Sequence, residues 1–138
     1  MKKIIKNGIV VTAEDTFQAD IVIDGEKILD IGHDILDSEA EVYDAEGCYV
    51  LPGGVDVHTH LDLPMAGTIS SDDHYTGHKA AAFGGTTTVL DFISQDVDPL
   101  IENVRVWRQK AAEKAAVDYS FHMNISRFDE TIAKDLAL

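Results

Sequence analysis

Residues 54–63 read GVDVHTHLDL. A short apolar run ends in His58 and His60, one residue apart, in a chain with six histidines in all. Along an extended strand, residues two apart point to the same face. The spacing therefore predicts that His58 and His60 project together with Asp56, and that Val55, Val57 and Thr59 face the other way. Pro52-Gly53-Gly54 punctuates the chain just before the run. In parallel α/β sheets, sites are built at the C-terminal ends of strands. Two imidazoles converging there suit one divalent metal. A hydrogen-bonded structural pair is the competing reading, and the tripeptide alone does not decide between them.

Downstream, DLPMAGTIS reads as a loop. Ser70 is a plausible N-cap with Asp72 and Asp73 in the first turn, where carboxylates suit the helix dipole. The helix DDHYTGHKAAAF would close at Gly84-Gly85. TTTVLDFI, rich in β-branched residues, predicts a second strand. Asp98-Pro99 suits an N-cap and first helical position. Beyond it Leu100, Ile101, Val104, Trp107, Ala111, Ala112 and Ala115 recur at helical spacing. VDYSFHMNIS alternates as a third strand, with Tyr119, Phe121, Met123 and Ile125 on one face and Ser120, His122, Asn124 and Ser126 on the other. DETIAKDLAL starts a further helix. Strand–helix alternation of this kind predicts a parallel sheet with helical crossovers.

Upstream, the grammar is β only. KKIIK and IVVT flank Asn7-Gly8, a strong hairpin signal. ADIVID and KILDIG flank Asp24-Gly25-Glu26, a second turn. The expectation is a β-meander over residues 1–50, followed by three βα units over residues 51–138.

The chain has 138 residues, is 45% hydrophobic and 26% charged, and carries a net charge of −14. That acidity repels phosphate backbones and anionic membrane surfaces, so neither nucleic acid nor membrane is an expected partner. The single cysteine, Cys48, permits no internal disulfide and reads as a small buried apolar residue in a reducing compartment. Lys6, Asn7 and Gly8 interrupt the opening MKKIIKNGIVV before a signal-peptide core can form. A cytoplasmic protein is expected.

Other chemistries find no footing. GxGxxG, GxxxxGK[ST], GxSxG and CxxC are absent from the sequence. His74 and His78 are spaced i, i+4, but no glutamate stands at 75, and two histidines on a solvated helical face is the expectation. His122 lies on the polar face of its strand, where a site residue and a satisfied interior histidine are both open. Glu39, Glu41, Asp44 and Glu46 read as solvated surface.

The stretch GCYVLPGGVDVHTHLDLPMAGTISSDDHYTGHKAAAFGGTTTVLDF resembles the dihydropyrimidinase and hydantoinase branch of the amidohydrolase superfamily. The likeness is dense over residues 47–93 and looser elsewhere. It implies an α/β fold: the N-terminal part of a metal-dependent (β/α)₈ TIM barrel, preceded by strands of a small β-sandwich. Residues 1–50 would supply the sandwich strands and residues 51–138 the first three βα units.

The resemblance also implies a binuclear zinc centre, other divalent metals being possible, with His58 and His60 as ligands from the first barrel strand. In such enzymes a metal-bridging hydroxide opens hydantoins or 5,6-dihydropyrimidines to N-carbamoyl amino acids, chemistry that belongs to pyrimidine catabolism. By position Leu63 and Met65 match a loop that gates the substrate side group, and Asp56 would support the metal ligands. The remaining ligands fall on later strands, and a barrel takes roughly 250 residues. The chain is thus expected to be an N-terminal fragment, inactive alone, of an enzyme that assembles as a homotetramer or dimer when full length. Allantoin or dihydroorotate is the alternative substrate. A dihydropyrimidinase-like scaffold protein is the non-catalytic alternative, although relatives of that kind typically lack the histidines that this chain keeps.

Overall fold

In the computed structural model, which describes residues 1–136, Lys2–Val11 form one continuous strand, β1. It pairs antiparallel with β2 (Thr16–Asp24), Ile5 facing Ile21 and Gly8 facing Ala19. Lys6 and Asn7 thus stand opposite the single residue Asp20. The expected hairpin at Asn7-Gly8 is instead a β-bulge, with Asn7 in the left-handed region at φ +60°. Both structures need positive φ, so the same dipeptide signals either. Asp20 fixes the bulge: its Oδ1 accepts the Asn7 N–H at 2.9 Å, its Oδ2 accepts the Ile35 N–H at 3.0 Å, and Lys6 Nζ lies 3.3 Å from Oδ2. The true reversal comes later, where Thr12 N–H donates to the Asp15 carbonyl at 2.9 Å.

The second turn is as expected, with Gly25 at φ +58° leading into β3 (Lys27–Gly32). The meander ends there. β4 (Glu41–Asp44) and β5 (Tyr49–Val50) both return parallel to β1, on its free edge. Val10, Ala19 and Ile21 form the buried core of this sheet, with Ile5, Ile23 and Val50 against it. Cys48 is exposed, contrary to the expected buried apolar role. Its backbone is what matters, because its carbonyl accepts the Ile9 N–H at 2.9 Å.

The chain divides into two compact units, Met1–Pro52 and Gly53–Leu138. In the second, β6 (Gly54–Thr59), β9 (Thr86–Ser94) and β10 (Asp118–Asn124) form a three-stranded parallel sheet with β9 in the middle. No closed barrel is formed among the described residues. The predicted loop after β6 holds a small hairpin of β7 (Pro64–Met65) and β8 (Thr68–Ile69), turned by Ala66 and Gly67 at positive φ.

Helix α1 covers His74–Phe83 and is capped by Asp73 rather than Ser70. Asp73 accepts the Thr76 N–H while Thr76 Oγ1 accepts the Asp73 N–H, a complete capping box. Ser70 is used elsewhere: its hydroxyl accepts the Leu63 N–H at 3.0 Å and donates to the Asp72 carbonyl. Helix α2 covers Leu100–Ala111 with Pro99 at the cap, one residue later than expected. Its buried face is Leu100, Asn103, Trp107 and Ala111, whereas Ile101 is 51% exposed. Asn103 holds that slot because its side chain accepts the Asp96 and Val97 N–H groups and donates to the Val97 carbonyl. Helix α3 (Glu130–Asp135) is capped by Asp129, and the end of DETIAKDLAL, Ala137 and Leu138, lies outside the described residues. Among those residues no helix is long and apolar enough to cross a membrane.

Candidate metal centre

β9 alternates strictly. Val89, Asp91 and Ile93 are buried, while Leu90, Phe92 and Ser94 are half-buried on the opposite face. Parallel register with β10 sets Tyr119, Phe121 and Met123 level with the buried set, and Ser120, His122 and Asn124 level with the open one. The two faces of the third strand therefore divide as its alternation predicts.

The open face gathers rings at the C-terminal ends of the strands. The His58 and His60 ring centroids lie 5.1 Å apart and nearly perpendicular. Phe92 packs against both, at 4.4 Å from His58 and 5.4 Å from His60, and lies 5.0 Å from His122 on its other side. Both imidazoles of the pair are exposed. Phe92 was invisible as a site residue, since in the sequence it is one apolar member of a strand.

His122 reaches across β9 to the first strand, its Nε2 lying 3.1 Å from the Val57 carbonyl. A carbonyl only accepts, so Nε2 carries a proton. Asp56 does not reach the imidazoles by a hydrogen bond of its own. Its Oδ1 accepts the His58 N–H at 3.1 Å, inside a register shift between Asp56 and Thr59 that breaks the simple alternation. Leu63 is half-buried and Met65 is 56% exposed on the hairpin after the strand.

The end of β6 is held from behind. Leu61 is 7% exposed, and its N–H donates to Asp91 Oδ1 at 3.1 Å. Asp62, at φ +49°, donates its N–H to the Asp72 carbonyl, accepts the His74 N–H on Oδ2 and accepts Lys110 Nζ on its carbonyl. Lys114 Nζ lies 3.1 Å from Asp73 and 3.6 Å from Asp62. Backbone and side-chain hydrogen bonds from Thr76 and Lys114 hold the Asp73 carboxyl down to about 2.

His74 and His78 overturn the expectation of a solvated face: both are 0% exposed. They point from α1 toward the back of the sheet, with Tyr119 ring centroids 6.4 and 5.8 Å away. Burial pushes both below the ordinary histidine value, and the neighbouring His78 lowers His74 further. Burial raises the Asp91 carboxyl, against the backbone N–H groups of Leu61 and Phe92 that lower it.

Two exposed imidazoles side by side suit a borderline divalent ion such as zinc. Among the described residues no group of three His, Cys, Asp or Glu side chains converges. The pair fits one side of a metal site, short of the three protein ligands usual at catalytic zinc.

Comparison with known proteins completes the picture. The model of the amidohydrolase family matches residues 49–135. A D-hydantoinase of Geobacillus stearothermophilus is 49% identical over 137 residues, covering 99% of this chain and 29% of the relative. A D-phenylhydantoinase of Escherichia coli is 41% identical over 141 residues, covering 100% of this chain and 31% of the relative. The crystal structure of a dihydropyrimidinase from Brevibacillus agri superposes with a TM-score of 0.95 at 51% identity, over 99% of this chain and 30% of that one. The chain thus spans about 30% of the length of the relatives it matches.

Proposed function

Because the chain belongs to the amidohydrolase family, we propose that the whole protein hydrolyses cyclic amides, opening hydantoins or 5,6-dihydropyrimidines to N-carbamoyl amino acids. The observation that carries this reading is the His58–His60 pair, with rings 5.1 Å apart at the C-terminal end of a parallel strand. The names of the relatives, D-hydantoinase, D-phenylhydantoinase and dihydropyrimidinase, support the substrate class.

His58 and His60 would hold a divalent metal, zinc first among the candidates, from one side. When bound, such an ion polarises the amide carbonyl and makes water acidic enough to supply a nucleophile at neutral pH. The chain's own residues have separate duties. Phe92 buttresses both imidazoles and restricts their rotation. His122 ties the third strand to the first through Val57. Leu63 and Met65 offer apolar surface to the ring substituent, and Asp56 supports the ligand strand through the His58 amide.

The test is turnover by the full-length protein on hydantoin, dihydrouracil, allantoin and dihydroorotate. The expected result is the highest rate on hydantoin or dihydrouracil, with metal and turnover lost together when His58 and His60 are both replaced by alanine. A highest rate on allantoin or dihydroorotate overturns the substrate class. Unchanged metal content in the double variant overturns the site.

A further inference from the structure

Behind the sheet lies a buried polar chain that the proposed chemistry does not use. Val117 N–H lies 3.4 Å from His78 Nδ1, His78 Nε2 lies 3.5 Å from His74 Nδ1, and His74 Nε2 faces Asp91 Oδ2 at 3.9 Å. A backbone N–H only donates, so His78 Nδ1 accepts and His78 carries its proton on Nε2. That proton points at His74 Nδ1, which accepts in turn and leaves the His74 proton on Nε2. The hydrogen-bond polarity is therefore assigned in one direction, from Val117 to Asp91.

Four buried side-chain atoms among the described residues lack a partner, and two of them, His74 Nε2 and Asp91 Oδ2, face each other. A donor and an acceptor at 0% and 1% side-chain exposure have no water to fall back on. A shift of under about 1 Å brings them into hydrogen-bond range. The other oxygen, Asp91 Oδ1, accepts the N–H groups of Leu61 at 3.1 Å and Phe92 at 2.9 Å. Leu61 follows His60 directly, and the Phe92 ring touches both imidazoles of the pair. One carboxylate thus holds both the backbone behind His60 and the residue that buttresses the rings.

We propose that Asp91 is a positioning residue for the His58–His60 pair: one carboxylate oxygen clamps the Leu61 and Phe92 amides, and the other ends a one-way relay from Val117 through His78 and His74. The effect on metal rests on the metal-binding reading above. The relay does not.

The experiment uses the full-length protein, labelled with ¹⁵N in histidine and valine, and its Asp91→Ala and Asp91→Asn variants. Two readouts are taken: the ring tautomers of His74 and His78, and Co²⁺ affinity by chelator competition with the visible spectrum of the bound ion. In the wild type both buried histidines should be neutral with the proton on Nε2. Asp91→Ala should weaken Co²⁺ binding about 10–100-fold, the usual effect of removing a group that orients metal ligands.

Asp91→Asn keeps a carbonyl for the Leu61 amide and should restore most of that affinity. Its amide N–H₂ would face His74, reverse the relay to the Nδ1 tautomers and break the Val117 contact, visible as a shifted Val117 amide signal. Nδ1 tautomers in the wild type, or unchanged tautomers in Asp91→Asn, overturn the relay. Wild-type Co²⁺ affinity in Asp91→Ala overturns the clamp, as does Asp91→Asn binding no more tightly than Asp91→Ala. Should Asp91→Ala not fold, the Asp91→Asn variant must bind Co²⁺ near the wild-type level, and a 10-fold or larger loss there also overturns the clamp. A wild-type protein that binds no Co²⁺ sinks the metal reading and with it the clamp's proposed effect, while the tautomers still decide the relay.

Discussion

A β-carbon placed on Gly77 would stand 2.3 Å from Leu61 Cδ2, so helix α1 rests its smallest residue directly on the side chain that follows His60. Glycine inside a helix ordinarily costs up to about 1 kcal/mol against alanine. Here the close approach outweighs propensity. Gly77→Ala is expected to lose about 1–2 kcal/mol in urea unfolding, because overpacking a filled contact costs more than the helix gains. Leu61→Val in the same background should recover part of the loss. A Gly77→Ala protein more stable than the wild type would mean that Leu61 turns aside freely.

Acid should weaken the second unit through its two buried histidines. His74 and His78 have folded values depressed below the usual 6.5, and burial is the leading cause for each. The unfolded chain therefore binds protons first as pH falls below 6.5, and stability drops. The slope is at most about 1.4 kcal/mol per pH unit for each histidine. Asp91, raised by burial, works in the opposite sense. Melting temperatures between pH 7.5 and 5 check this, and His78→Leu should flatten the curve. A flat wild-type curve would show that the buried imidazoles hydrate in the folded state.

Asp73 governs a different window. Its folded value is about 2 against 3.8 for the free carboxyl, so its contribution is complete above about 4 and disappears as pH falls toward 2. Asp73→Ala should melt below the wild type at neutral pH, through the lost cap on α1 and the lost Lys114 pair. The two proteins should converge in acid. A constant difference down to pH 2 would count against the capping box as its source.

In the first unit, Asn7→Ala should cost about 1–2 kcal/mol, since alanine tolerates φ +60° poorly. Asn7→Gly should cost less, because only the 2.9 Å contact of Asn7 Nδ2 with Asp44 Oδ1 is lost. Urea unfolding of both variants is the check. Equal losses would place the energy in that contact rather than in the backbone.

How much of this was legible in the sequence differs from residue to residue. The His58–His60 pairing follows from strand periodicity, and the parallel order follows from βα alternation, so both could be read directly. Asn7-Gly8 could not be resolved, because a hairpin turn and a bulge of this kind both place Asn7 at positive φ. The decisive difference lies in the Thr12–Asp15 turn, which has no glycine to advertise it. That His74 and His78 share one side of α1 was clear from their spacing. Which side faces the sheet was not, since Tyr75, which turns outward at 52% exposure, offers a competing apolar ring. Asp91 did leave a signal: a lone carboxylate in the apolar strand TTTVLDFI must find donors. One donor, the Phe92 N–H, is its own neighbour, but the other, the Leu61 N–H, lies far off in sequence and only the fold supplies it.

β9 pairs on both sides, whereas β6 and β10 each pair once among the described residues. For a ribosome making this protein, that pattern imposes a schedule. The strand bearing His58 has no neighbour to settle against until Thr86–Ser94 has left the exit tunnel, and translation at about 5–20 residues per second makes that a wait of seconds. During that interval the nascent chain carries both imidazoles, and Val55 and Val57, with no ring of Phe92 beside them. A chaperone or a stray metal ion meeting the chain would meet it then.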